Sequence, residues 1–376
     1  MKFTVERDVL SEAVTWTART LPQRPPVPVL SGIVIEAADD GALTLSSFDY
    51  DVSSRRKITA DVESGGKVIV SGRLLADISK ALPDRPVEFQ LEGTKVVLTC
   101  GASRFTLLTM PVDEYPALPQ MPETSGKISQ EEFESAVAQV SIAASRDETL
   151  PLLTGVLIEI QGEKITLLAT DRYRLAMREL VWQPAQPDIE AQALLRARTL
   201  IDVSKSLGSA DEAVIALSDA GVAGLIGFES DGRRTTSLLT DGDYPPVRRL
   251  FPEETPIHAV VNTAILTAAV RRVALVAERN TPVKLAFSEG QVVLEAGQGD
   301  DAQASEAIEA TLVGEPITTA FNPQFLLDGL GAVNTDFVRL SFTQPMKPAV
   351  LTGQESLEGE IEDHYRYLLM PIRFGN

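Results

Sequence analysis

The sequence predicts an α+β protein built from three repeated domains, each containing two helices and antiparallel sheets. A pattern of helix, strands, helix and strands runs along the chain three times, and matching segments recur 125 and then 126 residues apart. The length of 376 residues also exceeds what a single hydrophobic core usually serves. We therefore expect domains at residues 1–122, 123–252 and 253–376.

Each third of the chain opens with an amphipathic helix, in which apolar residues recur at helical spacing with small residues between them. These helices are predicted at Arg7–Arg19, Gln130–Ala144 and Thr263–Ala277. A turn and a strand follow each helix, at Val29–Glu36, Leu152–Glu159 and, as a looser match, Pro282–Phe287. A second strand then follows in each copy, at Leu43–Ser46, Ile165–Ala169 and Val292–Ala296.

The second half of each copy repeats the same plan, with a helix that begins after an apolar strand. The three helix starts are Arg73–Ile78, Arg198–Val203 and Gln324–Gly329. The first two copies close on nearly identical turns, Asp113–Pro116 and Gly242–Pro245. Proline-bearing stretches after these turns mark the domain boundaries.

The composition is that of an ordinary globular protein, with 44% apolar and 23% charged residues. No apolar run reaches the length of about 18 residues that a membrane span needs, and the first residues lack the apolar core of a secretory signal. Cys100 is the only cysteine, so no intrachain disulfide can form and a reducing compartment suits the chain. We expect a soluble, cytoplasmic protein.

The formal net charge of −19 argues against tight adhesion to nucleic acid, because attraction to phosphates requires a basic surface. A protein held on DNA by topology needs no such adhesion.

Like surfaces arranged head to tail either close into a ring or grow into a filament, and two three-domain chains would close a ring of six domains. A domain of this length should be about 35 Å across, so the hole of such a ring would admit duplex DNA.

Basic residues recur at an interval of seven on the predicted helices, which places both side chains of a pair on one helix face. The pairs are Arg73 with Lys80, Arg198 with Lys205, and Arg272 with Arg279. For any single pair, a solvated helix surface is the simpler explanation. Equivalent placement in two successive repeats favours a basic lining that faces the hole.

Residues suited to catalysis are sparse. The two histidines, His258 and His364, and the lone cysteine supply neither acid–base chemistry nor a Cys/His zinc site. The stretch Gly297–Ala302 resembles part of a dinucleotide-binding turn, but its two aspartates would repel a phosphate, which favours a hairpin turn. Turn chemistry also explains Asp241 and Asp243 better than a magnesium site does. We expect no enzyme activity, no cofactor and no metal.

Several short motifs stand in order along the chain. They are the opening Met1–Arg7, Arg24-Pro25 ahead of Pro28–Leu30, Ala169–Asp171 leading into Arg174–Ala176, Asp243–Pro245 with Arg248-Arg249, and the closing Tyr367–Arg373. Together these motifs make the chain resemble the bacterial DNA polymerase III β subunit, the β sliding clamp, along essentially its full length. The resemblance implies a homodimeric ring with helices lining the hole and sheets outside.

The resemblance also implies particular site residues. One peptide-binding pocket per chain would be formed by Leu153, Thr170, Arg172, Arg174, Leu175, Pro245, Arg249, Leu250, Asn322, Phe325, Met346, Pro348, Leu369, Met370, Pro371, Ile372 and Arg373. Residues that face DNA would be Arg24, Arg73, Lys80, Arg196 and Arg198, to which the helix spacing adds Lys205. The dimer contact would pair Phe105 and Leu107 of one chain with Leu275 of the other.

The implied function is that of a non-catalytic processivity factor. Its partners would be encircled duplex DNA of any sequence, a second copy of the chain, the DNA polymerase III catalytic subunit, an ATP-driven clamp loader, and other polymerases and repair proteins with clamp-binding peptides. Many family members have Gly-His where this chain has Arg172-Tyr173, and many end close to the position of Arg373, whereas this chain continues to Asn376. Both differences bear on the fine shape of the pocket and on partner preference.

Two other functions stay open on the sequence. A clamp paralogue would bind DNA or partners for protection or repair without serving the main polymerase. A hydrolase or transferase built on repeated α+β domains is the more remote alternative.

Overall fold

A computed structural model of the protein describes residues 1–208, 210–218, 224–277, 281–297 and 302–373. The expectations about Arg279, about residues 298–301 and about the last three residues lie outside this described part. The chain divides into two compact units. Unit 1 comprises Met1–Gln130, Gln183–Gln186 and Asp202–Leu239, and unit 2 comprises Glu131–Trp182, Pro187–Ile201 and Thr240–Asn376. None of the described helices is long and apolar enough to cross a membrane.

Each third of the chain contributes two α-helices. They are α1 (Arg7–Thr17), α2 (Gly72–Ala81), α3 (Gln130–Ser141), α4 (Ala197–Ser206), α5 (Thr263–Val273) and α6 (Pro323–Ala332). The helices predicted to run to Arg19 and Ala277 end earlier, because the chain tightens into single 3₁₀ turns at Ala18–Thr20 and Ala274–Val276. Two further 3₁₀ turns lie at Pro28–Ser31 and Val247–Leu250.

The strands alternate with these helices along the chain. The first third holds β1 (Lys2–Val5), β2 (Gly32–Ala37), β3 (Ala42–Phe48), β4 (Val52–Thr59), β5 (Asp61–Ser64), β6 (Gly66–Ser71), β7 (Val87–Glu92), β8 (Lys95–Cys100) and β9 (Ser103–Met110). The second third holds β10 (Thr124–Ser129), β11 (Gly155–Gln161), β12 (Lys164–Thr170), β13 (Arg174–Val181), β14 (Gln183–Pro184), β15 (Glu190–Arg196), β16 (Glu212–Leu217), β17 (Leu225–Ser230) and β18 (Arg233–Leu238). The last third holds β19 (Ile257–Asn262), β20 (Val283–Ser288), β21 (Gln291–Ala296), β22 (Ala304–Glu309), β23 (Thr311–Val313), β24 (Ile317–Phe321), β25 (Phe337–Phe342), β26 (Ala349–Gln354) and β27 (Ile361–Leu369).

Unit 1 contains one antiparallel sheet of fourteen strands, in the order β14-β10-β16-β17-β18-β4-β3-β2-β6-β9-β8-β7-β1-β5. Strands of the first and second thirds meet in this sheet at β4 and β18, where Arg56 lies opposite Arg233 and Arg55 lies opposite Arg234. Helices α1 and α2 pack on the strands of the first third around a core that includes Phe89.

Unit 2 contains an antiparallel sheet of nine strands, β15-β11-β12-β13-β27-β26-β25-β19-β23, and a second of four strands, β22-β21-β20-β24. Strands of the second and last thirds meet at β13 and β27, where Arg178 lies opposite Tyr365 and Leu175 lies opposite Leu368. The second third of the chain therefore gives its strands to sheets in both units.

The first helix of each repeat buries equivalent positions. Leu10, Ala13 and Val14 of α1 correspond to Phe133, Ala136 and Val137 of α3 and to Leu266, Ala269 and Val270 of α5. This equivalence and the antiparallel pairing of the described strands confirm the α+β class with three repeats. The domain limits at 122 and 252 stay a prediction.

Helix α6 is stabilised at its first turn by a capping side chain, and it packs against β27. The Asn322 side chain accepts hydrogen bonds from the backbone N–H groups of Gln324 and Phe325, at 2.9 and 3.1 Å, and Pro323 occupies the first helical position. Gly329 faces the ring of Tyr367, so a Cβ atom at this position would overlap that ring. The missing side chain lets the helix lie directly on the strand.

Replacing Gly329 by alanine should lower the free energy of unfolding by about 2 kcal/mol, because the new methyl group must displace the buried Tyr367 ring. Gly331→Ala in the same helix is the matched control, since a Cβ there meets nothing within 4 Å. The control should be neutral or slightly stabilising. Denaturant unfolding of both variants measures the difference, and equal stabilities would contradict the close packing of α6 on β27.

Candidate peptide-binding site

All the predicted pocket residues belong to unit 2. They come from the β12–β13 turn, the segment around the 3₁₀ turn Val247–Leu250, the start of α6, the loop before β26, and the chain that follows β27. The nine-stranded sheet brings several of these together, because β13 pairs with β27 and β27 pairs with β26. Leu153 is buried in the turn that precedes β11.

The turn between β12 and β13 is held by its own polar side chains. The Asp171 carboxylate accepts hydrogen bonds from the backbone N–H groups of Tyr173 and Arg174, each at 3.0 Å. The Thr170 hydroxyl donates to the Arg174 carbonyl at 2.6 Å and accepts from the Arg172 N–H at 3.1 Å. Arg172 itself has a φ of 79°, in the left-handed region. This closed turn presents Arg172 and Tyr173 to solvent, where the Tyr173 side chain is 58% exposed.

Arg174 is a buried cation whose charge is balanced by two carboxylates. Its Nε atom lies 3.0 Å from Asp171 Oδ2, and its Nη1 atom lies 2.6 Å from Asp328 Oδ2 on α6. Its guanidinium carbon stands 4.3 Å from the centre of the Phe325 ring. Burial opposes the charge, yet Tyr367, Asp328 and Asp171 hold the pKa of Arg174 above its usual value. The arginine thereby fixes α6 against the β12–β13 turn.

Phe325 is the aromatic centre of the site. Its ring contacts both the Arg174 guanidinium and the Tyr173 ring, whose centre is 6.3 Å away. Its backbone carbonyl accepts a hydrogen bond from the Tyr367 hydroxyl at 2.8 Å, and its N–H is bound by the capping Asn322. Burial raises the pKa of Tyr367, so the hydroxyl stays protonated as a donor.

The backbone after β27 is hydrogen-bonded to two other segments of unit 2. The Met370 N–H donates to the Tyr173 carbonyl at 2.9 Å, and the Ile372 N–H donates to the Ala320 carbonyl at 2.8 Å. Met370 is exposed, whereas Pro371 and Ile372 are half-buried. Met370 therefore presents an exposed apolar side chain on a hydrogen-bonded backbone.

The floor beneath these residues is apolar. Leu157, Leu168, Leu175, Met177, Leu194, Val247 and Leu368 form one buried cluster, with Leu152, Tyr244 and Phe251 packed against it. Leu175 of this cluster and Leu369 of β27 are both buried in the single chain. The Tyr244 hydroxyl accepts a hydrogen bond from the Thr170 N–H at 3.0 Å, and burial raises the pKa of Tyr244 to about 12.

The remaining predicted pocket residues are at or near the surface of unit 2. Pro245, Arg249, Leu250, Met346 and Arg373 are exposed, and Pro348 is half-buried just before β26. Leu250, Met346 and Met370 are large exposed apolar side chains. Apolar surface with a few fixed charges suits the apolar anchors of a short peptide.

Sequence reasoning missed four residues that hold the site. Asp171, Tyr173 and Tyr244 lay inside or beside motifs that carried the resemblance, and Asp328 lies within a repeated helix segment. That segment has an aspartate at the equivalent positions Asp77 and Asp202. The repeat was a usable signal for Asp328, but only the structure gives its contact with Arg174.

The predicted DNA-facing residues are exposed in both units. In unit 1, Lys80 and Lys205 line one cleft together with Arg19 and Trp16 of the first-helix segment. Arg73 and Arg24 are exposed in the same unit, and the Arg73 guanidinium donates to the Pro22 carbonyl at 3.1 Å. In unit 2, Arg196 and Arg198 are exposed where β15 passes into α4.

One of the predicted dimer residues, Leu107, is buried within its own chain. Leu107 is only 4% exposed and belongs to the core of unit 1, because its position on β9 turns the side chain inward. Its neighbour Leu108 is 70% exposed, and Phe105 is also exposed. Leu275 in unit 2 is 83% exposed, as a contact residue should be in a single chain.

The residues considered for catalysis are dispersed. His258 lies on β19, His364 lies on β27, and Asp241 and Asp243 are in an exposed turn. Across the described ranges, no group of three or more His, Cys, Asp and Glu side chains is arranged to hold a metal ion.

Replacing Asp328 by asparagine should lower the free energy of unfolding by about 2 kcal/mol, because Arg174 keeps its charge in a buried place and loses a carboxylate. Asp363→Asn is the control, since Asp363 pairs with Arg366 at an exposed site where the loss should stay below about 0.5 kcal/mol. Denaturant unfolding compares the two. Similar losses would mean that Asp328 does not stabilise Arg174.

The sequence matches three family models along its length. They describe the N-terminal domain of the DNA polymerase III beta subunit over residues 1–119, the central domain over residues 127–246 and the C-terminal domain over residues 248–373. The chain is 57% identical to the beta sliding clamp of Streptomyces coelicolor over 376 residues, which is all of both chains. It is 46% identical over 374 residues to the beta sliding clamp homolog GriR of Streptomyces muensis, again covering 100% of each.

Solved structures agree with these matches. The DNA polymerase sliding clamp of Bacillus subtilis superposes with a TM-score of 0.92 at 27% identity, over all of both chains. The sliding clamp of Pseudomonas aeruginosa bound to griselimycin has a TM-score of 0.92 at 26% identity, with the same full coverage. The chain therefore belongs to the DNA polymerase III beta subunit family, the sliding clamps that serve DNA polymerase as processivity factors.

Proposed function

We propose that two copies of this chain close head to tail into a ring around duplex DNA, and that the site on unit 2 holds the replicative polymerase by a peptide segment. The ring has no catalytic role of its own in this proposal. A clamp loader places it on DNA in the cytoplasm, and repair enzymes with similar peptides use the same site.

The main support for the ring is that successive repeats are joined twice by the same kind of strand pairing. The first repeat offers β4 to β18 of the second, and the second repeat offers β13 to β27 of the last. The equivalent strands that remain are β22 and β9. Strand β22 stands at the edge of the four-stranded sheet, and β9 pairs with β6 only through Thr109 and Met110. Open strand edges seek partners, so β22 of one copy is suited to pair with β9 of another.

The equivalence also gives a register for this pairing. Three residues occupy equivalent positions in the three repeats: Arg56 on β4, Arg178 on β13 and Glu306 on β22. Each lies opposite a buried leucine of the preceding strand, which is Leu45, Leu167 and Leu294, respectively. Arg233 begins β18 and Ser103 begins β9, and each lies opposite the last residue of the preceding strand, Ser230 or Cys100, so the two positions are equivalent. Glu306 of one copy should therefore lie opposite Ser103 of the other. Phe105 and Leu275 are exposed side chains available to such a junction.

The exposed basic residues supply the DNA-facing surface in this proposal. Lys80, Lys205 and Arg19 come from separate helical segments and line a single cleft of unit 1. Such scattered cations attract the phosphate backbone without reading bases. A net charge of −19 keeps adhesion weak, which lets a topologically held ring slide.

The site on unit 2 explains how a weak contact gives long residence. A polymerase tail bound there cannot diffuse away while the ring remains threaded, because the second binding event becomes intramolecular. Exposed Met370, Leu250 and Met346 offer the apolar contacts. The Met370 N–H is bonded to the Tyr173 carbonyl in the turn that Arg174 joins to α6.

Retention on plasmid DNA tests the ring directly. After loading onto a nicked circular plasmid, the protein should stay bound through gel filtration, and linearisation of the plasmid should release it. Release follows because a threaded ring slides off free ends, whereas a protein held by surface adhesion stays on either form. Equal retention on circular and linear DNA would overturn encirclement.

Calorimetry with a peptide of the Gln-Leu-x-Leu-Phe kind tests the site. One peptide should bind per chain, and Met370→Ala or Ile372→Ala should weaken binding about tenfold by removing an apolar contact. Ile361→Ala, an exposed apolar residue at the far end of β27, should leave the affinity unchanged. Sedimentation should give the same oligomeric state for all variants. Loss of the dimer in the Met370 or Ile372 variants would make those residues structural instead.

A further inference from the structure

One position on the first helix makes the same kind of contact at both junctions inside the chain. In the first repeat the indole N–H of Trp16 donates to the Ser206 carbonyl at 2.7 Å. In the second repeat the side-chain amide of Gln139 donates to the Ala332 carbonyl at 2.9 Å. Trp16 and Gln139 are equivalent, since each lies two residues after the shared valine, Val14 or Val137.

The two acceptors are equivalent as well. Ser206 is the last residue of α4 and Ala332 is the last residue of α6, and they belong to the second helix of the repeat that follows the donor. The last carbonyls of a helix have no partner within the helix. Each junction therefore satisfies one such carbonyl with a side chain from the preceding repeat, and all four participating residues are buried.

The third copy of this arrangement is incomplete in a single chain. The donor position falls on Arg272, two residues after Val270, and the acceptor position falls on Ala81, the last residue of α2. Ala81 is exposed, and the Arg272 side chain is 57% exposed. Within the described part of the chain, the repeat pattern thus leaves the donor position at Arg272 and the acceptor position at Ala81 without their counterparts.

The Arg272 side chain is held in place by Glu306 on β22. Its Nε and Nη2 atoms lie 3.0 and 2.5 Å from the two carboxylate oxygens of Glu306. A guanidinium has five N–H donors, so this bidentate pair leaves three of them for another acceptor. A cation is also favoured at the C-terminal end of a helix, where the backbone dipoles concentrate negative charge.

We propose that Arg272 latches two copies of this chain together by donating a hydrogen bond to the Ala81 carbonyl of the second copy. The proposal rests on the homodimer proposed above and assigns a further residue pair to its junction. Glu306 is the positioning residue that holds the guanidinium in place. The closing junction then repeats the internal ones, with a charged donor in place of the neutral Trp16 and Gln139.

A crosslinking experiment tests the placement. The double variant Arg272→Cys with Ala81→Cys, treated with a short bismaleimide, should give covalent dimers on a denaturing gel. The matched control, Arg271→Cys with Ala81→Cys, moves the thiol around the helix and should crosslink far less. Cys100 is fully buried and can stay in both variants. Dimers that form in sedimentation but crosslink equally in the two variants would overturn the latch and leave the ring intact.

Dimer affinity tests the hydrogen bond. Arg272→Leu removes the donor and should raise the dimer dissociation constant at least tenfold, because each of the two junctions loses a charged hydrogen bond. Arg272→Gln keeps a donor of the kind used by Gln139 and should weaken the dimer less. Arg271→Leu should have no effect, and thermal unfolding of each variant shows that the fold is kept.

The outcomes separate the two proposals. An unchanged dissociation constant in Arg272→Leu, with a dimeric parent protein, would overturn the latch alone. A parent protein that stays monomeric at every concentration would overturn the homodimer and the latch with it. Glu306→Gln should weaken the dimer by less than Arg272→Leu, since it loosens the arginine without removing it; the reverse order would make Glu306 the contact residue.

Discussion

Backbone N–H and C=O groups at the edge of a sheet must find partners, and this requirement governs how the three repeats are joined. The chain meets it twice internally, by setting β18 against β4 and β27 against β13. The second repeat consequently divides its strands between two sheets, so the compact units do not follow the repeats. The same requirement, left unmet at β22, is the physical reason to expect a second copy.

The candidate site depends on one of these junctions. Pairing of β13 with β27 brings the β12–β13 turn beside the chain after Leu369, and Arg174 then bridges that turn to α6 through Asp328. A buried arginine with two carboxylates contributes less to net stability than to geometry, because desolvation offsets much of the attraction. Its consequence here is a fixed β12–β13 turn next to the exposed Met370 side chain, which would lower the conformational cost of the peptide binding proposed for this site.

The repeats and the fold class could be predicted because they follow from periodicity and from motifs along the chain. The membership of the site follows only from the resemblance to the family, and it stays a prediction. The burial of Leu107 could not be predicted, since Leu107 and Leu108 are alike in type and only the register of β9 decides which of the two side chains faces the core. Asp328 had equivalents in the other repeats, but a contact between α6 and β13 joins residues 154 positions apart. Such partners are set by tertiary pairing, which local sequence does not encode.

Charge places a further constraint on any assembly of two copies. Each chain carries −19, so two copies repel at distances within the screening length of about 10 Å at moderate salt. Contacts that close the proposed dimer must therefore be short-ranged, either apolar, as proposed for the exposed Leu275, or charge-assisted, as proposed for Arg272. The internal junctions face no such approach, because the covalent chain already holds their partners together. The proposed closing junction has an arginine where the internal junctions use tryptophan and glutamine. Because Glu306 already balances the charge of Arg272, the arginine would add a charge-assisted N–H donor there rather than a net positive charge.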